Sequence, residues 1–217
     1  WTSERLAVKA GHGVGKSYCL SRLAIAFLVT HPNSKVLTTA PTWIQVEKIL
    51  WAEIRSAVNS MRVKPGGTLL TTELRLGADW FALGLSTDET ERLQGFHAPH
   101  VLVIFDEASG IPDPLWEAAD SLMVGAGSHW VVVGNPLEPS GAFHRCFEPD
   151  SGWTTMTISC ETSPNVIEGR EVIPGLVSKE WVEQKLQEWG EDSPLFASRV
   201  KGEFPVQALS RVIQPAW

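Results

Sequence analysis

Residues 10–17 read Ala-Gly-His-Gly-Val-Gly-Lys-Ser, with the β-rich run Arg5 to Ala10 before them and an apolar helical pattern over residues 16–30 after them. A strand that passes through a glycine-rich turn into a helix implies a sheet onto which that helix packs back, usually a parallel one. The segment fits G-x-x-x-x-G-K-[ST] with Ala10 at the first glycine position. Gly11, Gly13 and Gly15 let the backbone wrap a phosphate, and the unpaired N–H groups at the start of the helix point at it. On this reading Ala10, Gly11, His12, Gly13, Val14, Gly15, Lys16 and Ser17 bind a nucleotide. Lys16 bridges the β and γ phosphates, and the Ser17 hydroxyl holds Mg²⁺.

The rest of the chain agrees with a doubly covered sheet. Lys35 to Ala40 is a second β-rich run, followed by an amphipathic helical pattern from Trp43 to Val58. Met61 to Ser86 holds a Pro-Gly-Gly turn and the alternating runs TLLTTELRL and WFALGLS, which predict a β-ribbon. Val101–Phe105 and Trp130–Val133 are continuous apolar runs, as expected of central strands buried on both faces. Residues 114–123 and 140–147 read as short helical links, and Trp153 to Ser159 as a fifth core strand. Residues 160–177 are loop-like, two short helices follow at about 178–189 and 193–200, and Pro205 and Pro215 end the helical pattern. The expected fold is an α/β P-loop NTPase of the additional-strand, RecA-like type. It has a mostly parallel central sheet flanked by helices, with residues 1–159 as the ATPase core and 160–217 as a small helical lid or linker.

Two further strand ends carry polar chemistry. The run HVLVIF ends in Asp106 and Glu107. Beyond a phosphate loop, Asp106 suits the Mg²⁺ shell, and Glu107 suits a general base that polarises a water for in-line attack. Val131 to Pro136 ends in Asn135, where an amide beside the γ-phosphate can sense its loss. The segment Thr38-Thr39-Ala40-Pro41-Thr42 ends the second strand and reads either as a coupling element or as a helix-capping turn.

Composition narrows the partners. Eighteen Lys and Arg against 25 Asp and Glu give a net charge of −7, so a polyanion must be met by a local patch rather than a global field. Arg55, Arg62 and Lys64 form the densest basic cluster. Cys19, Cys146 and Cys160 have no metal or disulfide spacing and read as small core residues. His97 and His100 lack a third ligand at metal spacing, which favours packing. The ten tryptophans are scattered, and most are expected to pack helices on the sheet. No apolar run approaches the roughly 18–20 residues of a membrane span. The chain opens on Trp1, which suggests a piece cut from a longer protein.

The ordered set AGHGVGKS, TTAPTWIQVEKILW, ERLQGFHAPHVLVIFDEASGIP, VVVGNP with SGAFHRCF, then PNV, IPGLVS and RVKGEFP resembles the bacteriophage terminase large subunits over nearly the whole chain. The resemblance implies an ATP-driven motor that moves double-stranded DNA into a procapsid. It would work as a ring, pentameric by family, docked on the portal protein with a small terminase subunit as partner. That places it in the host cytoplasm and transiently at the portal vertex, away from membranes and absent from the mature virion. Lys16 and Ser17 then belong to Walker A, Asp106 and Glu107 to Walker B, and Asn135 to the coupling motif. The family's nuclease domain would begin beyond Trp217. Many relatives carry Arg where His12 stands, so the transition-state arginine is expected in trans, Arg92 first and Arg145 second. A helicase or translocase fragment, and an ATP-binding assembly switch with negligible turnover, are the competing readings.

Overall fold

The computed structural model describes residues 3–87 and 93–206. Among these residues eight strands form one sheet: β1 (Arg5–Ala10), β2 (Lys35–Thr39), β3 (Thr68–Leu69), β4 (Glu73–Gly77), β5 (Trp80–Gly84), β6 (Val101–Phe105), β7 (Ser128–Gly134) and β8 (Thr154–Ile158), in the order β3-β4-β5-β2-β6-β7-β1-β8. An additional strand, β7, thus stands between the strand that enters the phosphate loop and the strand that ends in the acids. The described chain sorts into two compact units, residues 3–6 with 17–133 and residues 7–16 with 134–206.

In the first unit β2 pairs in parallel with β5 on one side and β6 on the other, and β6 pairs in parallel with β7. All five residues of β6 are buried, which is why its sequence is an unbroken apolar run rather than an alternation. Within the expected β-ribbon the run TLLTTELRL is itself a hairpin. β3 and β4 pair antiparallel, and the Leu70 N–H donates to Glu73 O at 2.7 Å to close the turn. Gly67 makes the fold-back possible, since it has φ +72° and a Cβ there would stand 2.1 Å from Arg75 O.

Helix α1 (Lys16–Thr30) buries Leu20, Ala24, Phe27 and Leu28, while Tyr18 and Val29 remain exposed. The second helical stretch opens with a π-helical turn, Gln45–Leu50, before α2 (Trp51–Ser60). Thr42 starts it through a capping box: the Gln45 N–H donates to Thr42 Oγ1 at 3.3 Å, and the Thr42 N–H donates to Gln45 Oε1 at 3.0 Å. The helix-capping turn read from this segment is therefore present. Trp51 is fully buried, and its Nε1–H donates to Thr38 Oγ1 at 2.9 Å. Gly84 admits it, because a Cβ at that position would lie 2.5 Å from Trp51 Nε1. Helix α3 (Asp113–Asp120) sets Trp116 against Phe105 and Trp130, with ring centroids 5.2 and 5.3 Å apart. Each such ring contributes roughly 1.5–3 kcal/mol on burial.

The second unit holds the loop at residues 10–16, β8, and helices α4 (Ala142–Arg145), α5 (Pro164–Glu168), α6 (Lys179–Trp189) and α7 (Pro194–Phe196), the last running into a π-helical turn, Ala197–Lys201. β8 is not a core strand. It lies at the sheet edge, four of its five residues are exposed, and its Thr-rich alternation covers a wet edge rather than a buried face. The segment read as loop from 160 contains α5, and buried Asn165 pins the chain at residues 172–176. Its Oδ1 accepts the N–H groups of Val172 and Ile173, both at 2.8 Å, and its Nδ2 donates to Ile173 O at 2.9 Å and to Leu176 O at 3.2 Å. Cys160, Val177, Val182, Phe196 and Val200 form the buried cluster of this unit, with Val14, Trp181 and Trp189 packed against it.

Candidate nucleotide site

The loop is built by backbone contacts with the C-terminal segments of its own unit. The Gly11 N–H donates to Ile158 O at 2.9 Å, the His12 N–H to Arg199 O at 2.8 Å, and the Val177 N–H to Gly13 O at 2.8 Å. Gly13 and Gly15 sit at φ +64° and +85°, where L side chains are strained. Gly11 is required for another reason: a Cβ there would meet Cys160 Sγ at 2.6 Å and Val200 O at 2.7 Å. Lys16 Nζ donates to Gly11 O at 3.0 Å and to Asn135 Oδ1 at 3.3 Å, while Asn135 Nδ2 donates to Ala10 O at 2.6 Å. One buried amide thus ties the end of β7 to the end of β1 and to the loop lysine.

His12 lies parallel to Trp181 with ring centroids 6.4 Å apart and 12° between planes. Its pKa is pushed down to about 4, chiefly by burial and further by the charges of Lys16 and Arg199, so the imidazole is neutral near pH 7. Cys160 donates its thiol hydrogen to His12 O at 3.2 Å, and burial pushes the thiol up to about 11, so it stays protonated. Cys146 is buried as expected, whereas Cys19 is exposed on α1.

In the first unit, the Ser17 hydroxyl donates to Asp106 Oδ2 at 3.2 Å. Asp106 is buried, its N–H donates to Thr39 O at 2.9 Å, and its Oδ1 accepts the Glu107 N–H at 3.0 Å. A hydroxyl and a carboxylate oxygen side by side are hard donors of the type Mg²⁺ takes. Glu107 is half-buried and adopts φ 49°, ψ 48°, a left-handed conformation that costs a non-glycine residue roughly 1–3 kcal/mol. Strain of this kind holds where surrounding contacts impose a side-chain direction, and here it turns the chain sharply at the end of β6.

The basic cluster divides. Arg55 is half-buried and donates to Thr71 O, Lys64 donates to Asn59 O at 3.0 Å, and both Lys64 and Arg62 lie exposed. His100 packs against His31 with ring centroids 5.0 Å apart, and no group of three or more His, Cys, Asp or Glu among the described residues could hold a metal ion. Arg145 is exposed on α4, and Arg92 lies outside the described residues. Val177, Trp181 and Arg199 join the site without having been legible in the sequence. The only signal for Val177 and Arg199 lay in the late runs IPGLVS and RVKGEFP, which no local pattern connects to a loop more than 160 residues earlier, and Trp181 lies in neither run.

No family model matches the sequence. Over 224 residues the chain is 31% identical to the probable terminase large subunit of Enterobacteria phage P7, an alignment covering 94% of this chain. The chain is thus similar to a phage terminase large subunit. It spans 42% of the length of that terminase. The fold matches the large terminase ATPase domain of Thermus phage P74-26 with TM-score 0.67 at 19% identity, covering 94% of this chain and 90% of that one. The large terminase of another thermophilic bacteriophage matches with TM-score 0.70 at 11% identity, over 94% of this chain and 49% of that one. That same thermophilic-phage terminase in complex with ATP-gamma-S gives TM-score 0.66 at 9% identity, over 94% and 48%. Terminase ATPase domains are thus the structural neighbours of this α/β chain, whose described helices include none long and apolar enough to cross a membrane.

Proposed function

We propose that this chain is the ATP-hydrolysing motor domain of a terminase large subunit and that it drives double-stranded viral DNA into a procapsid. The observation that carries this reading is the Ser17–Asp106 hydrogen bond, which joins the phosphate-loop hydroxyl to a strand-end carboxylate 89 residues away. The complexes of the thermophilic-phage large terminase with ATP-gamma-S and with ADP support nucleotide as the ligand.

Ser17 and Asp106 would hold Mg²⁺, which when bound screens the β and γ phosphate oxygens. Lys16 adds a second positive charge, and because it directly precedes Ser17 in the chain, one triphosphate meets both. Glu107 accepts the proton of the attacking water. Asn135 holds Lys16 through its Oδ1, so loss of the γ-phosphate is felt along β7 through a single amide. Arg92 of a neighbouring subunit, with Arg145 as second candidate, supplies the transition-state charge in trans. Residues 160–217 act as the lid over the loop and lead toward a nuclease domain.

The ring is pentameric and docks on the portal, the small terminase subunit presents the DNA, and assembly takes place in the host cytoplasm. Exposed Arg62 and Lys64 are candidates for DNA contact. Asp106→Asn tests the metal assignment: Mg²⁺-dependent ATP binding, read by calorimetry with and without EDTA, should fall to the Mg²⁺-free level. Unchanged Mg²⁺ dependence would contradict it. Arg92→Ala subunits mixed into rings test the arginine: a trans residue lowers turnover more steeply than the mutant fraction, and a strictly proportional fall would overturn the trans assignment.

A further inference from the structure

Arg199 differs from four lysines of the second unit. Lys9, Lys179, Lys185 and Lys201 each hold a glutamate carboxylate, from Glu203, Glu183, Glu188 and Glu191 respectively. Arg199 holds none among the described residues. Its Nε is shut off from solvent and has no hydrogen-bond partner there. An N–H donor buried without an acceptor loses its hydration for nothing, and a charged group loses more than a neutral one.

The backbone of Arg199 fixes where this charge sits. Its carbonyl accepts the His12 N–H at 2.8 Å and lies 3.5 Å from the Cys160 thiol, so the residue is bonded directly to the glycine-rich loop. The guanidinium carbon lies 6.0 Å from the centre of the Trp189 ring, an arrangement in which cation–π attraction favours one placement of the fork. Its field reaches into the loop, because Arg199 and Lys16 both help to hold His12 neutral. A guanidinium fork placed on an aromatic ring, without a carboxylate and beside a phosphate-binding loop, has the donor geometry that takes phosphate oxygens two at a time.

We propose that Arg199 is a phosphate-binding residue acting in cis, whose guanidinium takes oxygens of the nucleotide phosphates held by the Lys16 loop. The proposal rests on the nucleotide reading given above and adds to it a second cation from the C-terminal helices. Closing of those helices on the loop and binding of the phosphates would then be one event. It is separate from the trans arginine, since it is made within one chain and does not require a neighbour.

The test is a pair of variants of the full chain, Arg199→Met and Arg199→Lys, read by thermal melting and by ATP binding with MgATP as the probe. Met keeps an unbranched stem of similar length and removes the charge; Lys keeps the charge and removes the fork. Arg199→Met should melt at or above the wild-type temperature without nucleotide, because an unpaired donor has been removed. It should bind ATP roughly tenfold or more weakly, the loss of one charge-assisted hydrogen-bonded contact. Arg199→Lys should recover part of that affinity. A lowered melting point in both variants with ATP affinity within about twofold of wild type would make Arg199 a packing residue and overturn the proposal. Wild-type chain that binds no ATP would overturn the nucleotide reading and the proposal together, so the two failures are told apart.

Discussion

Single residues at the loop carry opposing requirements. Gly11 has no room for a side chain, so Gly11→Ala must push Cys160 and the Val200 carbonyl aside. The expected cost is about 1–3 kcal/mol in a denaturant melt, against near-neutrality if the loop could shift freely. His12 is a neutral imidazole whose proton affinity is depressed in the folded state. The unfolded chain therefore binds that proton more readily, and stability contributed above pH 6.5 is lost as the pH falls toward about 4. His12→Gln should flatten the stability profile between those two values and leave it unchanged above pH 7. A profile parallel to wild type down to pH 4 would contradict the assignment. The placement of Lys16 and Ser17 at the start of α1, and of Asp106 and Asn135 just past strand ends, was readable from sequence because each lies at the end of a distinct apolar or glycine-rich run. Trp181 and Arg199 were not readable, since what gives them meaning is contact with a loop distant in the chain, and an Arg or Trp near a helix carries no local mark of such contact.

At the scale of elements, composition was a good guide wherever burial was two-sided. VLVIF and WVVV were expected to be central strands, and both are. It failed where exposure decides: the alternation of Trp153 to Ser159 suited a half-buried core strand as well as an edge strand, and only the sheet order makes it the edge. It also failed at the π-helical turn Gln45–Leu50, since one extra residue per turn leaves the apolar spacing nearly unchanged. The capping box at Thr42 was one of two readings of the same short segment, and its Oγ1 is committed to Gln45. Thr42→Ala should cost about 0.5–2 kcal/mol by thermal melting, with Thr42→Ser close to wild type. Equal losses in both would indicate that the cap is not what the threonine supplies. Helix α6 makes a similar case, with Ser178 Oγ accepting the Trp181 N–H at 3.2 Å and so fixing the first turn that presents Trp181 to His12.

For the whole molecule, a net charge of −7 coexists with similarity to a phage terminase large subunit, and any DNA partner would have to be met by a local patch, since many of the described cations are already paired with carboxylates. Arg5, Lys9, Arg22 and Lys201 each pair with a carboxylate, which leaves exposed groups such as Arg62 and Lys64 to meet a polyanion. If that patch contacts DNA, the double variant Arg62→Ala, Lys64→Ala should reduce the slope of log affinity against log salt by about two. An unchanged slope would remove the patch from the interface. In the proposed function the Ser17–Asp106 pair and the Lys16–Asn135 pair would each serve one chemistry, transfer of the terminal phosphate to water. Phosphate release from MgATP by the full chain, measured beside Glu107→Gln, bears on that chemistry most directly. Turnover should fall by roughly 10²–10⁴ in the variant while ATP binding is retained; hydrolysis by Glu107→Gln at the wild-type rate would contradict the mechanism at its centre.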